Sequence, residues 1–285
     1  MQRYRIEHST TYSFDAAVWL NSHALRLRPR EGHELRIESS RLRISPPATL
    51  RWHRDAENNS VAIATFNTMA SSLTIESEVV LQQYQQEPFD FLLDPMALLF
   101  PFPYRAEEVL LLGPYRQQED WNRQEPTLEH WLNSLYEPGE RVQTFSLLER
   151  INNRIESSLR YAQRLDPGVQ TPAQTLSCGS GSCRDFATLF MATARRLGLA
   201  ARFVSGYLHD PIALPGSGST HAWVEVYLPG AGWKGFDPTT GTLAGPDHFA
   251  VAVARRPEAV PPVAGSYRGQ AGAGLSVGVW VSLLG

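Results

Sequence analysis

The stretch Ser177-Cys178-Gly179-Ser180-Gly181-Ser182-Cys183-Arg184-Asp185 is the point at which a loop of small residues changes into a helical pattern. Ser182 and Asp185 have the spacing of a capping box, which predicts that the helix begins at Cys183. Gly198 stands where a helix commonly ends in a left-handed conformation. One face of the predicted helix carries, at three- and four-residue spacing, Phe186, Leu189, Phe190, Thr193 and Leu197. This spacing is typical of a helix with one side packed into a core.

Cys183 therefore lies in the first turn of a predicted buried helix. The unpaired N–H groups and the positive end of the helix dipole at that place favour a thiolate over a thiol. Gly179 and Gly181 carry no side chains, so a substrate backbone could approach closely. These features suit a nucleophile, but a small buried hydrophobic residue is an equal interpretation at this point, because free cysteines are commonly buried.

Composition and charge argue against several classes of protein. The 285 residues carry a formal net charge of only −3 without a basic block, so nucleic acid is not an expected partner. No apolar run approaches the length of a membrane span, and the first residues lack the apolar stretch of a signal peptide. The two cysteines do not make a disulfide framework, and a cytoplasmic location is expected.

The chain divides into three ranges with different patterns. Residues 1–85 alternate apolar and polar positions between turn-rich breaks, which predicts an N-terminal β-sandwich-like domain. Residues 86–126 contain prolines among short apolar runs and are interpreted as a packed connector. Residues 127–285 combine helices and strands in the predicted catalytic core, whose last strand, over 275–281, is expected to close the sheet. A loop over 210–220 is either a lid over a site or an ordinary surface loop.

A strand with two distinct faces begins at His221. Alternate residues from Ala222 to Leu228 form an apolar face, which leaves His221 on the other side. The chain then turns and returns to Asp237. If the turn spans the five residues 228–232, Trp223 lies opposite Asp237, and His221 is a diagonal neighbour about 7–8 Å away between backbones. An even turn would put Asp237 on the apolar face. Because a thiol nucleophile needs a base and an orienting acid, the catalytic hypothesis predicts the odd turn.

Several motifs follow one another along the second half of the chain. They are Gly181-x-Cys183-Arg184-Asp185, Arg195-x-Leu197-Gly198-x-x-Ala201-Arg202-x-Val204-x-Gly206-Tyr207, His221-Ala222-Trp223-x-Glu225-Val226, Gly232-Trp233 and Phe236-Asp237-Pro238-Thr239. In this succession the chain resembles the bacterial transglutaminase-like superfamily, which includes candidate cysteine proteases. The N-terminal β domain and the segment Pro261-Pro262-Val263-x-Gly265 also resemble the bacterial subfamily that has its own N-terminal module.

The resemblance implies an α+β fold with a papain-like core, in which helices pack on an antiparallel sheet, and a Cys-His-Asp triad. At the matching positions, Cys183 is the nucleophile, His221 the base and Asp237 the orienting acid. The expected function is thiol-dependent acyl transfer that hydrolyses a peptide or isopeptide amide through an acyl-enzyme. The alternatives are a protein-glutamine transglutaminase or deamidase with the same triad, and a non-catalytic peptide-binding module. The expected partner is a peptide or protein substrate, and neither a cofactor nor a metal is expected.

Other side chains are secondary candidates for the site. Trp223, Tyr207 and Gly181 are interpreted as substrate-binding residues, although core packing explains the two aromatic residues as well. Members of the family often place a second oxyanion donor upstream of the nucleophile, where Tyr161 and Gln163 occur.

Four further residues have competing interpretations. Cys178 is either a resolving thiol for an oxidised Cys183 or, as we prefer, a bystander. Glu225 shares a strand face with His221 and competes with Asp237 as its partner. Arg184 and Asp185 are expected to anchor the start of the helix rather than to react. A metal site built from Cys178, Cys183, His209 and His221 is disfavoured, because these residues lack the paired spacing of metal ligands.

Overall fold

The computed structural model describes residues 1–119, 125–164, 166, 168–210 and 220–284. The helices of these ranges are α1 (Ala106–Arg116), α2 (Pro126–Asn133), α3 (Thr144–Ser158), α4 (Pro172–Cys178) and α5 (Cys183–Arg196). The strands are β1 (Gln2–Leu20), β2 (His23–Leu25), β3 (Leu35–Ser45), β4 (Thr49–Arg54), β5 (Ser60–Thr65), β6 (Met69–Gln83), β7 (Leu99–Phe100), β8 (Val142–Gln143), β9 (Arg160–Tyr161), β10 (Ser180–Gly181), β11 (Ala201–Leu208), β12 (His221–Leu228), β13 (Gly232–Asp237), β14 (Thr242–Leu243), β15 (His248–Ala254), β16 (Val263–Ala264), β17 (Tyr267–Arg268) and β18 (Ala273–Leu284). In the described ranges, the helices lack the length and apolar character needed to cross a bilayer.

Two antiparallel sheets share a core in the N-terminal region. One has the strand order β17-β1-β6-β3, with β18 also paired to β1, and the other has the order β16-β2-β5-β4. Apolar side chains from both sheets meet in one buried cluster, which includes Val18, Leu25, Ala62 and Ile75. The alternating pattern of the sequence is satisfied because the strands turn apolar residues toward this cluster or, as Ile6 and Leu81 do, toward a second buried cluster. The sandwich-like arrangement predicted for this region is confirmed.

The catalytic core is built on one antiparallel sheet with the order β14-β13-β12-β11-β15. Helix α5 packs against the apolar face of this sheet, where Leu189 and Phe190 share a buried cluster with Val224 and Val226 of β12. The ring of Phe190 stacks on that of Phe236 in β13, with 5.4 Å between centroids. This packing fixes the helix that begins at Cys183 against the strand that begins at His221. The predicted α+β class is confirmed.

The last strand of the chain lies in the N-terminal sheet. Strand β18 runs antiparallel to β1, from the pair Phe14–Ala273 to the pair Arg3–Leu284. The sequence assigns this strand to the catalytic core of residues 127–285, and the structure corrects that assignment. Its pairing partner is far away in sequence, while Val279 packs into the cluster that the catalytic core shares with the N-terminal sheet. The two parts of the chain therefore have one continuous core.

Three further segments bear on the sequence-based expectations. The range 86–126, interpreted as a connector, contains helix α1, which accommodates Pro114. The segment before the cysteine helix, expected to be a loop, forms α4, because Thr171 and Gln174 make a capping box and Pro172 occupies the first turn. The loop expected as a lid lies outside the described residues over 211–219, so that hypothesis stays a prediction.

His8 provides a buried titratable group between the two parts of the molecule. Its Nε2 lies 2.7 Å from the Thr10 hydroxyl and its Nδ1 lies 3.1 Å from the Tyr207 hydroxyl. Burial lowers the pKa of His8 from 6.5 to about 4, because the buried site disfavours the charged imidazolium. The unfolded chain therefore binds a proton between these pH values that the folded chain does not bind.

We expect the protein to lose stability in mild acid through His8. A depressed pKa contributes stability that is complete above pH 6.5 and is lost as the pH falls toward 4. The loss from this one group is on the order of 3 kcal/mol. Urea unfolding should show a smaller loss over this interval for His8→Gln than for the wild type. His33→Gln is the matched control, since the side chain of His33 is 97% exposed. An equal acid loss in all three proteins would contradict the prediction.

Candidate active site

The position of Cys183 follows from the local chemistry of its helix. Helix α5 begins at Cys183, and the Ser182 and Asp185 side chains form the capping box that the sequence predicts. As the first helical residue, Cys183 has a backbone N–H without an intrahelical acceptor. Its side chain is buried, with 7% of the residue exposed, yet it lines a cleft. The predicted helix start is confirmed.

Asp185 anchors this helix start to the preceding loop. Its fully buried carboxylate accepts hydrogen bonds from the backbone N–H and the hydroxyl of Ser182, each at 2.8 Å. It also accepts from the Gln170 backbone N–H at 2.7 Å and from the Arg164 guanidinium at 3.1 Å. Arg184 donates to the backbone oxygen of Arg164 at 3.1 Å. These bonds fix the nucleophile's backbone, in agreement with the anchoring roles expected for Arg184 and Asp185.

The hairpin between β12 and β13 has the odd turn that the catalytic hypothesis requires. Leu228 pairs with Gly232, and the register continues to the far end of β13. The ladder ends at the pair Val224–Phe236, and one residue further in the same register Trp223 faces Asp237, with His221 as the diagonal neighbour. The two side chains meet, with His221 Nε2 2.7 Å from Asp237 Oδ2. The predicted register is confirmed.

His221 stands between a carboxylate and the thiol. Burial disfavours the imidazolium, but the charge and hydrogen bond of Asp237 and a hydrogen bond with Cys183 outweigh it and raise the pKa of His221 to about 10. Burial likewise opposes ionisation of Asp237, but the charge and hydrogen bond of His221 hold the pKa of that carboxyl far below its usual value. Because Nε2 contacts Asp237, Nδ1 is the ring nitrogen left for Cys183. At neutral pH His221 is therefore an imidazolium beside the sulfur of Cys183.

His248 is a member of this constellation that the sequence interpretation missed. Its Nε2 lies 3.1 Å from the Asp237 Oδ2 atom that also contacts His221. Its Nδ1 accepts a hydrogen bond from the Gly245 backbone N–H at 3.2 Å, so the proton of a neutral His248 must be on Nε2, directed at Asp237. The backbone N–H of Thr239 donates to the other oxygen, Oδ1, at 3.0 Å. Asp237 is therefore a carboxylate held by three donors.

The same side chains form a possible metal-binding set. Within the described part of the chain, one atom from each of His221, Asp237 and His248 lies within 4.8 Å of the others. Two imidazoles and a carboxylate are a ligand set that suits zinc. In the arrangement described, however, the Nε2 atoms and the carboxylate make hydrogen bonds to one another, and His221 is directed at Cys183. These contacts suit proton transfer, which needs no ion.

A cleft of about 400 Å³ surrounds Cys183 and His221. Its lining also includes Phe203, Ser205 and Ala222 from the catalytic sheet. Tyr161 and Gln163, the candidates for a second oxyanion donor, also line it, and both are exposed. The cleft therefore brings together the candidate nucleophile, the candidate base and side chains able to donate hydrogen bonds.

The residues expected to bind substrate lie elsewhere. Trp223 is buried on the far face of the sheet, where its ring makes an edge contact with His248 at 5.2 Å. Tyr207 is buried against His8. A Cβ on Gly181 would lie 2.8 Å from the Cβ of Asp185, so this glycine permits close packing onto α5. All three are absent from the lining of the cleft described above, and the expectation that they contact substrate stays a prediction.

The structure also places the remaining candidates. Glu225 forms an ion pair with Arg202 at 2.7 Å, which leaves Asp237 as the carboxylate that contacts His221. Cys178 is exposed at the end of α4, and both cysteines are free thiols. His209 contacts Asp247 at 2.9 Å rather than the thiol site.

Comparisons with known proteins bear on both parts of the chain. The bacterial transglutaminase-like N-terminal region matches residues 4–82, and the transglutaminase-like superfamily matches residues 138–238. An uncharacterised protein of Mycobacterium leprae is 26% identical over 295 residues, covering 100% of both chains. An uncharacterised protein of Mycobacterium tuberculosis is 28% identical over 278 residues, covering 92% of this chain and 87% of the relative.

A solved structure has the same fold. The crystal structure of a candidate cysteine protease from Cytophaga hutchinsonii aligns with a TM-score of 0.75 and 16% identity, covering 100% of this chain and 91% of that one. At this identity the likeness concerns the fold. Together with the matches above, it confirms the resemblance drawn from the motifs and the predicted transglutaminase-like core.

Proposed function

We propose that this chain hydrolyses a peptide or isopeptide amide through an acyl-enzyme. Its match to the transglutaminase-like superfamily supports a thiol-dependent enzyme. The observation that supports the proposal is that Cys183 and His221 line one cleft that a substrate can enter, while His221 lies 2.7 Å from Asp237. Nucleophile, base and orienting acid in this order are the requirement for acyl transfer by a thiol.

In the proposed first step, the Cys183 thiolate attacks the carbonyl carbon and an S–C bond forms. The carbonyl electron pair moves to oxygen, where the backbone N–H of Cys183 donates a hydrogen bond to the oxyanion. Tyr161 or Gln163 supplies the second donor in this proposal. The C–N bond then breaks, and the Nδ1 proton of His221 passes to the leaving amine, which leaves a thioester and a neutral imidazole.

In the second step, His221 takes a proton from water while the water oxygen attacks the thioester carbon. The C–S bond breaks, the acid is released, and the thiolate and imidazolium are restored. Asp237 keeps the ring oriented and stabilises its positive charge in both protonation steps. If an amine attacks the thioester in place of water, the same residues carry out transamidation. Whether water or an amine reaches the thioester therefore decides between hydrolysis and cross-linking.

We expect acid products and no incorporation of amine when the protein turns over a peptide mixture. The test incubates the protein with glutamine-containing peptides and a fluorescent primary amine, and analyses products and Cys183 adducts by mass spectrometry. A Cys183 thioester with free acid product supports hydrolysis, whereas incorporated amine favours a transglutaminase. If neither product forms and Cys183 fails to react with iodoacetamide near neutral pH, the protein is a binding module rather than an enzyme. The cytoplasmic location stays a prediction.

A further inference from the structure

The C-terminal strand brings apolar side chains into the cleft of the proposed active site. Leu275 and Val277 of β18 line the same cleft as Cys183 and His221. Strand β18 is held by twelve consecutive residue pairs to β1, a strand of the N-terminal sheet. One wall of the cleft is therefore supplied by the N-terminal sheet, and the opposite one by the catalytic sheet.

The apolar face of β18 continues from the core into the open cleft. Side chains of a strand alternate between its faces, so the odd-numbered residues share one side. Val279 and Val281 pack into or against the core cluster, and Val279 is almost fully buried. Further along the same side, Leu275 is 58% exposed and Val277 is 43% exposed. The same apolar surface is thus covered by protein at Val279 and Val281 and left uncovered at the cleft.

Other residues of the same cleft are apolar as well. Val260, Pro261 and Pro262 line it together with the two β18 residues. Two charged residues of the lining are engaged by the protein itself, since Arg164 binds Asp185 and Arg184 binds backbone oxygens. The cleft also has polar lining residues, among them Ser205 and Glu258, but an exposed apolar surface beside a reactive centre is typical of a site that receives part of a ligand.

We propose that Leu275 and Val277 form a subsite for an apolar side chain of an extended peptide, adjacent to the carbonyl that Cys183 attacks. The inference rests on the proposed function, because it takes the occupant of this cleft to be the acyl substrate. The cleft continues from this surface to the thiol, which favours a substrate segment over a second copy of the chain. The N-terminal sheet then acts as a platform that holds one side of the substrate.

The test uses peptidyl chloromethyl ketones that differ only in the residue next to the warhead, leucine or serine. Their alkylation of Cys183 is followed by mass spectrometry, which requires a reactive thiol but no turnover. We expect the leucine probe to react about tenfold faster with the wild type, at the low end of the discrimination that apolar pockets achieve. The double variant Leu275→Ser/Val277→Ser should lose most of this preference and react with iodoacetamide at the wild-type rate.

Leu283→Ser is the matched control, because Leu283 lies on the same side of β18 and is 53% exposed but does not line the cleft. It should keep the wild-type preference. A preference that survives in the double variant, or is lost equally in the control, overturns the subsite. If the thiol of the wild type reacts with neither the chloromethyl ketones nor iodoacetamide, both the proposed function and the subsite are overturned. If the double variant changes only the sedimentation behaviour, the surface belongs to an interface between copies and the subsite is overturned.

Discussion

Replacing Cys183 with alanine is expected to lower kcat/KM for amide hydrolysis by about 10⁴-fold or more, because it removes the sulfur that lines the cleft and forms the proposed thioester. The residue sits at the first position of α5, and alanine is a good helix former of smaller volume, so the fold should be kept. Mass spectrometry of protein incubated with substrate measures the effect directly, since the acyl adduct disappears with the sulfur.

Cys178→Ala is the natural control for this variant. It removes the other thiol of the chain, which is exposed at the end of α4. Its activity and its Cys183 adduct should equal those of the wild type. Activity retained in Cys183→Ala, or lost in Cys178→Ala, would show that the nucleophile has been assigned to the wrong residue.

Asp237→Asn is expected to reduce kcat/KM by about 10³- to 10⁴-fold, the size of effect seen for an orienting aspartate in other triads. Oδ2 accepts from both His221 and His248, and Oδ1 accepts from the Thr239 N–H. If the asparagine oxygen accepts from Thr239, the amide NH₂ group faces the N–H donors of His221 and His248. Donors cannot form hydrogen bonds with one another. His221 must then change tautomer or lose its partner, and the geometry at the thiol is lost.

The pH dependence separates this explanation from simple loss of folding. Without the carboxylate charge the pKa of His221 falls from its raised value of about 10, so the alkaline limb of kcat/KM should move to lower pH. His248→Phe keeps the carboxylate that raises the pKa of His221, so its alkaline limb should not move to lower pH. An unshifted limb in Asp237→Asn would argue against the carboxylate as the group that holds the imidazolium.

The pH dependence of the protein's folding stability should also depend on His221 and Asp237. The raised pKa of His221 contributes stability that is complete below its ordinary value of 6.5 and is lost as the pH rises through about 10. The depressed pKa of Asp237 contributes stability that is present above 3.8 and lost in acid. The difference in Tm between the wild type and Asp237→Asn should therefore be largest between pH 3.8 and 6.5.

The positions of Cys183, His221 and Asp237 could be predicted from the sequence because each depends on local rules. The start of α5 depends on the capping pair Ser182 and Asp185, which are neighbours in the chain. The pairing of His221 with Asp237 depends on the number of residues in one turn. Patterns of this kind are complete within a short window, so they could be predicted before the structure was known.

The rest of the site depends on contacts between distant segments. Alternation showed that Trp223 faces away from α5, but not that Val204 and Val253 bury it there. His248 reaches Asp237 from a separate strand, without a motif to mark it. The pairing of β18 with β1 joins segments at opposite ends of the described chain, and such pairing leaves no local signature.

The pairing of β1 with β18 has a consequence for how the protein is made. The whole catalytic core lies between these two strands in sequence, so the ribosome has synthesised the triad before the strand that completes the N-terminal sheet emerges. Until then β1 has an unpaired edge of the kind that invites association between nascent chains. The two parts of the molecule therefore reach their finished form together, once β18 has emerged, and a chain that lacks β18 lacks one wall of the cleft.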